Sequence, residues 1–135
     1  MSHPAYLDSS ALVKLVVLEA ESRALALYVR DVSAVYTSAL SEVEVPRGVR
    51  SAGGTGLPER STRTLLDRCE IVDCHAEVRR VAADFEPAGL RSLDAVHLAS
   101  ALRVQHLIDA FVTYDRRLAA AARDAGLPVV APGQA

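Results

Sequence analysis

Residues 5–15 read A-Y-L-D-S-S-A-L-V-K-L, and the fold follows from the change of period inside this stretch. Its opening residues form a short apolar run suited to a strand and closed by Asp8. Ser9 or Ser10 is then placed to cap a helix beginning near Ala11, with Leu12, Val13, Leu15 and Val16 as its apolar stripe. The same change from strand to helix recurs downstream. A helix is expected over residues 21–30, a strand at Ala34, Val35 and Tyr36, and a helix that starts from Thr37 or Ser38, carries Glu44 and runs to about Arg50. Pro46 is awkward in that helix, because proline removes an amide donor and crowds the preceding turn. The run S-A-G-G-T-G at 51–56 reads as a loop, and Pro58 opens a helix reaching about Asp67. A strand follows at 70–73, then a helix over 76–85 stopped by Pro87 and Gly89. Ser92 is placed to cap a helix through Asp94, His97 and Leu102. A strand at 110–113, a helix to about Asp124 ended by Gly126, and a last strand at 127–130 complete the pattern.

Parallel strands need crossover connections, and helices normally supply them. The alternation therefore predicts an α/β fold with three layers, α/β/α, around a central, mostly parallel sheet of about five strands. A chain of 135 residues and 14.4 kDa is expected to form a single domain over 1–135, large enough to bury its own core. Hydrophobic residues at 50% and charged residues at 24% exclude the composition of a disordered segment. With two Phe, one Met and no Trp, the core must rest on Leu, Val and Ala.

Several function classes are disfavoured at once. The N-terminus lacks the basic and apolar regions of a signal peptide, and no apolar run approaches the roughly 18 residues of a membrane span. Cys69 and Cys74 are too few and too isolated for a familiar zinc site or a disulfide framework. The expectation is a reduced, cytoplasmic protein with no membrane partner. A net charge of -2 argues against a highly basic nucleic-acid binder, but the local distribution matters more. Arg47, Arg50, Arg60, Arg63 and Arg68 fall in a stretch with fewer acids, suited either to phosphate or an acidic partner or to an ordinary solvated helix face.

Four acids stand out because of where the pattern puts them. Asp8 and Asp115 each occur where a strand gives way to a helix, and in open parallel sheets the carboxyl ends of the strands form the usual ligand crevice. Either acid alone could be a helix cap. Glu44 and Asp94 lie within expected helices among apolar neighbours. Asp94 could serve only the first turn of its helix, and Glu42 competes with Glu44 for the inward position. Gathered together, however, four carboxylates would repel one another unless a cation or protons intervened. Magnesium prefers oxygen ligands, so such a set could position one or two ions beside a phosphodiester and activate water.

At this point a resemblance adds to the residues. Y-L-D-S-S-A-L-V-K-L, T-S-A-L-S-E-V-E-V-P-R, L-R-S-L-D-A-V-H-L-A-S-A-L and F-V-T-Y-D-R-R-L-A-A-A-A-R-D-A-G-L, in this order over residues 4–131, resemble the PIN-domain ribonucleases, in particular the VapC toxins of type II toxin–antitoxin pairs. The resemblance implies a PIN-like fold and a metal-dependent endoribonuclease acting on structured RNA such as tRNA or rRNA. It implies Asp8, Glu44, Asp94 and Asp115 as catalytic residues and as ligands of Mg2+, with Mn2+ as a substitute. It also implies a homodimer inhibited by a cognate VapB-like antitoxin.

Supporting residues have two readings each. Ser10 could hold the Asp8 loop or simply cap the helix, and the Thr113 hydroxyl could support Asp115 or be a buried strand threonine. His97 is expected to be a packed structural histidine, since water activated by a metal needs no histidine base. His3, His75 and His106 form no HExxH-type motif. Lys14 and Tyr114 are candidates for RNA contact, Tyr6 and Tyr36 for strand packing, and the two cysteines for small buried hydrophobes. Competing functions are a nuclease that also cuts single-stranded DNA, a noncatalytic PIN-like module that binds RNA or a peptide, and a phosphatase using Asp8 as nucleophile. The last is disfavoured because no D-x-D follows the first strand.

Overall fold

Successive side chains of a strand enter opposite faces of its sheet, and in β1 (His3–Leu7) both faces are covered: Ala5, Tyr6 and Leu7 are all fully buried. The computed structural model describes residues 3–53 and 56–134. Within them, β1 is joined by β2 (Val32–Ser38), β3 (Glu70–Val72), β4 (Ala110–Val112) and β5 (Val129–Val130). The order is β3-β2-β1-β4-β5, and every neighbouring pair is parallel. The helices are α1 (Ser9–Lys14), α2 (Ser22–Val29), α3 (Ser41–Ser51), α4 (Leu57–Asp67), α5 (Ala76–Ala83), α6 (Ser92–Arg103) and α7 (Arg116–Asp124).

The register places Ala5 opposite Ala110, Tyr6 opposite Phe111 and Leu7 opposite Val112. Ala5, Leu7, Ala110 and Val112 consequently share one core with Leu12 of α1, Leu25 of α2 and Val45 and Val49 of α3, while Leu65 and Leu66 of α4 pack at its margin. Tyr6 and Phe111 point the other way, their rings stacked with centroids 5.3 Å apart, into a core completed by Leu98 of α6 and Leu118 and Ala122 of α7. This is the expected α/β/α architecture, with a sheet that is wholly parallel. The chain moves outward from β1 through β2 to β3 with α1 to α4 on one face. It then returns past β1 to β4 and β5, with α6 and α7 on the other. Right-handed crossovers in two directions require this division, and the reversal creates a switch point between β1 and β4.

Several local expectations are corrected. Asp8, rather than Ser9 or Ser10, caps α1, accepting from the Ala11 amide at 2.9 Å, so both serines are already helical. Helix α3 begins at Ser41, not at Thr37 or Ser38, because pairing with β3 keeps β2 extended through Ser38. Pro46 sits inside α3 without ending it; the carbonyl it leaves without a donor belongs to the exposed Glu42, where solvent can serve. Arg91, not Ser92, holds the cap position of α6, and makes no side-chain cap bond. Helix α5 stops at Ala83, short of the expected 85, and the last strand shrinks from 127–130 to Val129–Val130. Gly126 does end α7: its φ of 89° lets the Leu127 amide reach the Ala122 carbonyl and its own amide reach that of Arg123. Residues 54 and 55 of the expected loop lie outside the described residues.

Because Phe111 is fully buried and fills the space against Tyr6, Phe111→Ala is expected to cost about 3–5 kcal/mol of folding stability. Urea unfolding followed by circular dichroism measures this as a lower transition midpoint.

Candidate active site

Parallel strands end on the same edge, so residues that follow β1 and β4 must be neighbours. Asp8 and Asp115 do follow them, and each doubles as a helix cap: the Asp115 Oδ1 accepts from the Leu118 amide at 2.9 Å at the start of α7. Glu44 lies in the first turn of α3 and Asp94 in that of α6. All four line a single cavity of about 800 Å³, together with Ser9, Ser10, Arg91 and His97. Glu42 is exposed, so α3 turns Glu44 and not its neighbour toward the cavity.

Asp8 is only 4% exposed and is fully hydrogen-bonded. Oδ1 accepts from the Ala11 amide and the Ser10 hydroxyl, both at 2.9 Å, and Oδ2 accepts from the Thr113 hydroxyl at 2.6 Å. Burial nevertheless raises its pKa, against the opposing pull of the Thr113 and Ala11 bonds. Ser10 thus donates to the Asp8 carboxylate. Thr113 differs from expectation: its hydroxyl supports the carboxylate of Asp8, and meets Asp115 only by accepting from the Asp115 amide at 3.2 Å.

Glu44 is held from two other elements. Its Oε1 accepts from the Ser9 hydroxyl at 2.5 Å and from His97 Nε2 at 2.8 Å. A carboxylate can only accept, so Nε2 carries the proton; Nδ1 of a neutral ring then accepts from the Tyr6 hydroxyl at 2.8 Å. Behind Ser9 lies the buried Ser41 hydroxyl, 2.9 Å from Ser9 and 2.7 Å from Thr37 and able to donate to either, while Thr37 donates to the Leu7 carbonyl at 2.7 Å. Burial works to raise the Glu44 pKa, but the bonds from His97 and Ser9 outweigh it and hold the group below its ordinary value.

Asp94 and Asp115 are tied by one arginine. Arg91 donates Nε to Asp94 Oδ2 at 3.1 Å and Nη2 to Asp115 Oδ2 at 3.0 Å. Among the described residues no three His, Cys, Asp or Glu side chains are already gathered at ligating distance. The donor set of the cavity nonetheless suits a hard cation: its acids offer only oxygens, they come from four separate elements, and between two of them a guanidinium already stands in as the positive charge. Asp8, Glu44, Asp94 and Asp115 are the residues that could hold such an ion.

The PIN domain family matches residues 5–124. The chain belongs to that family. Ribonuclease VapC35 of Mycobacterium tuberculosis is 47% identical over 135 residues, covering 96% of this chain and 98% of that protein. Ribonuclease VapC47 of the same organism is 40% identical, covering 95% and 96%. Among solved structures, M. tuberculosis VapC20, described as a sarcin–ricin loop cleaving toxin, superposes with a TM-score of 0.71 at 16% identity, covering 95% of this chain and 99% of that one. A chain of a toxin–antitoxin complex from Klebsiella pneumoniae gives 0.67 at 22%, covering 95% and 97%.

Three residues of this PIN domain do more at the site than their sequence context signals. His97 is packed as expected, at 2% exposed, yet it also grips Glu44; its position one turn after Asp94 on the same helix face was the available signal. Ser9, which the sequence places as a possible cap, is a Glu44 donor. Arg91 carried no signal beyond its place three residues before Asp94. Lys14, by contrast, is engaged by Glu21 at 2.8 Å and Glu19 at 3.5 Å, and lies over the Tyr114 ring. Tyr114 donates to the Pro132 carbonyl, which fixes it at the cavity wall. Burial pushes the Cys69 thiol up to about 11, consistent with a packing role.

The raised pKa of Asp8 has a definite sign. Folding penalises its ionised form, so the penalty is absent well below the ordinary carboxyl value of 3.8 and grows as pH rises through the folded pKa. Asp8→Asn is expected to melt above the parent chain at pH 7 in EDTA, with the gap closing as pH falls toward that value. Differential scanning calorimetry across this range checks it.

Proposed function

We propose that the chain is an endoribonuclease toxin that hydrolyses RNA phosphodiester bonds with the help of Mg2+ or Mn2+. Its substrates on this reading are structured cellular RNAs such as tRNA or rRNA, and a cognate VapB-like antitoxin restrains it in the cytoplasm. The observation that carries the reading is the convergence of Asp8, Glu44, Asp94 and Asp115 on one cavity at the sheet's switch point. Relatives named as ribonucleases, at 47% and 40% identity over nearly the whole chain, favour RNA as substrate. We read residues 1–135 as one catalytic domain. Leu18 and Leu27, 87% and 56% exposed before and within α2, are the apolar side chains we assign to a homodimer contact.

In this mechanism the four carboxylates are the ligands and their hydrogen-bond partners fix where the ligand oxygens point. A bound divalent ion supplies Lewis acidity, polarising the phosphate and favouring deprotonation of the attacking water. Ser10, Thr113 and the Ala11 amide lock Asp8 in one orientation. Ser9 and His97 keep Glu44 ionised and aimed. His97 is enclosed between Tyr6 and Glu44, so it acts as a positioning residue and does not meet the RNA. The exposed Arg47, Arg50, Arg60, Arg63 and Arg68 on and after α3 and α4 are available for phosphate contacts, which position a nucleic acid without specifying its sequence.

The test is cleavage of total cellular RNA by the purified chain, mapped at nucleotide resolution with Mg2+, with EDTA and with Asp94→Asn. Changes to groups that merely orient metal ligands cost about 10–100-fold, so loss of a ligand is expected to reduce cleavage by at least about 100-fold. Undiminished cleavage by folded Asp94→Asn overturns the assignment. RNA or peptide binding by the parent chain without any metal-dependent cleavage favours a noncatalytic module instead.

A further inference from the structure

Two cationic side chains line the acid cavity, and they are held differently. Lys14 is 13% exposed at its side chain, and its ammonium faces Glu19 and Glu21, acids outside the proposed ligand set. Arg91 is 71% exposed, and both of its partners are proposed ligands. Its two bonds end on Asp94 Oδ2 and Asp115 Oδ2, side chains supplied by different helices. One guanidinium therefore spans two of the acids proposed as ligands.

The electrostatics explain both why it sits there and why it can leave. Asp94 and Asp115, 17% and 28% exposed at their side chains, are like charges facing one cavity, and the guanidinium between them offsets their mutual repulsion. Ion pairs to a side chain as exposed as Arg91 are weak, however. A divalent cation brings twice the charge in a smaller radius to the same oxygens. Releasing Arg91 strands no buried charge, because its side chain is already largely exposed. A guanidinium freed at the cavity mouth matches a phosphodiester, whose paired oxygens accept two parallel N–H bonds.

We propose that Arg91 is an exchangeable resident cation. It bridges Asp94 and Asp115 while the metal is absent, and moves onto an RNA phosphate when a divalent ion takes those oxygens. The inference rests on the metal-dependent reading above.

Isothermal titration of Mn2+ into the RNA-free chain tests the first half, comparing the parent with Arg91→Gln and Arg103→Gln. Arg103 lies on the same helix and pairs with Glu77 at 2.8 Å outside the cavity, so its variant removes equal charge without touching the site. Loss of two exposed ion pairs predicts Mn2+ binding about 3–10-fold tighter in Arg91→Gln, and little change in Arg103→Gln. Steady-state cleavage tests the second half: Arg91→Gln is expected to raise KM by about 3–10-fold with a smaller change in kcat, the signature of a lost binding contact. Equal Mn2+ affinity in Arg91→Gln and the parent, or an unchanged KM, overturns the exchange and leaves the metal-dependent reading standing. Absence of Mn2+ binding in all three chains overturns both.

Discussion

Carboxylates brought to one sheet edge repel one another, and Asp8, only 4% exposed, also loses the water that would otherwise solvate its charge. Each acid meets this in its own way. Asp8 is surrounded by three donors, two of them side chains and one the Ala11 amide in the first turn of α1. Glu44 leans on His97 and Ser9, strongly enough for its pKa to fall despite burial. Asp94 and Asp115 share a guanidinium. Donors and cations are thus distributed so that no acid is left without a partner, and no buried side-chain nitrogen or oxygen among the described residues lacks one.

The sheet makes the gathering possible at all. Parallel strands deliver every strand end to one edge, and the reversal of direction at β1 opens a gap there that helices from both layers border. Tyr6 shows how tightly core and site are joined. Its ring stacks on Phe111 in the core shared with α6 and α7, while its hydroxyl fixes the His97 ring that grips Glu44 on α3. One strand residue therefore coordinates a helix on each face of the sheet. The burial that stabilises the fold is also what orients the carboxylate.

The parts legible in the sequence were those governed by period and by punctuation. The alternation of strand and helix foretold the three layers, and Gly126 foretold the end of α7, because a left-handed residue is needed there. Asp8 and Asp115 could be placed at the edge from position alone. Boundaries set by neighbouring strands were not legible: β2 extends through Ser38 because β3 pairs with it, and nothing local announces that partner. Nor could local pattern decide between Glu42 and Glu44, since that choice depends on how α3 is rotated against α1. Arg91 was invisible for the same reason. Its two partners are 3 and 24 residues away, and the second becomes a neighbour only through the fold.

The four acids differ in what anchors them, and this divides them physically into two pairs. Asp8 and Asp115 are bound to the backbone as caps, so their positions follow directly from the starts of α1 and α7. Glu44 and Asp94 have no such tether, and their placement depends on how α3 and α6 dock. For α3 the docking is close: a Cβ at Gly48 would stand 3.0 Å from the Val13 side chain of α1. That approach is what brings Ser9, at the start of α1, within reach of Glu44 in the first turn of α3. A glycine with no side chain therefore helps set the geometry of a carboxylate one turn away, by permitting two helices to approach more closely than a larger residue would allow.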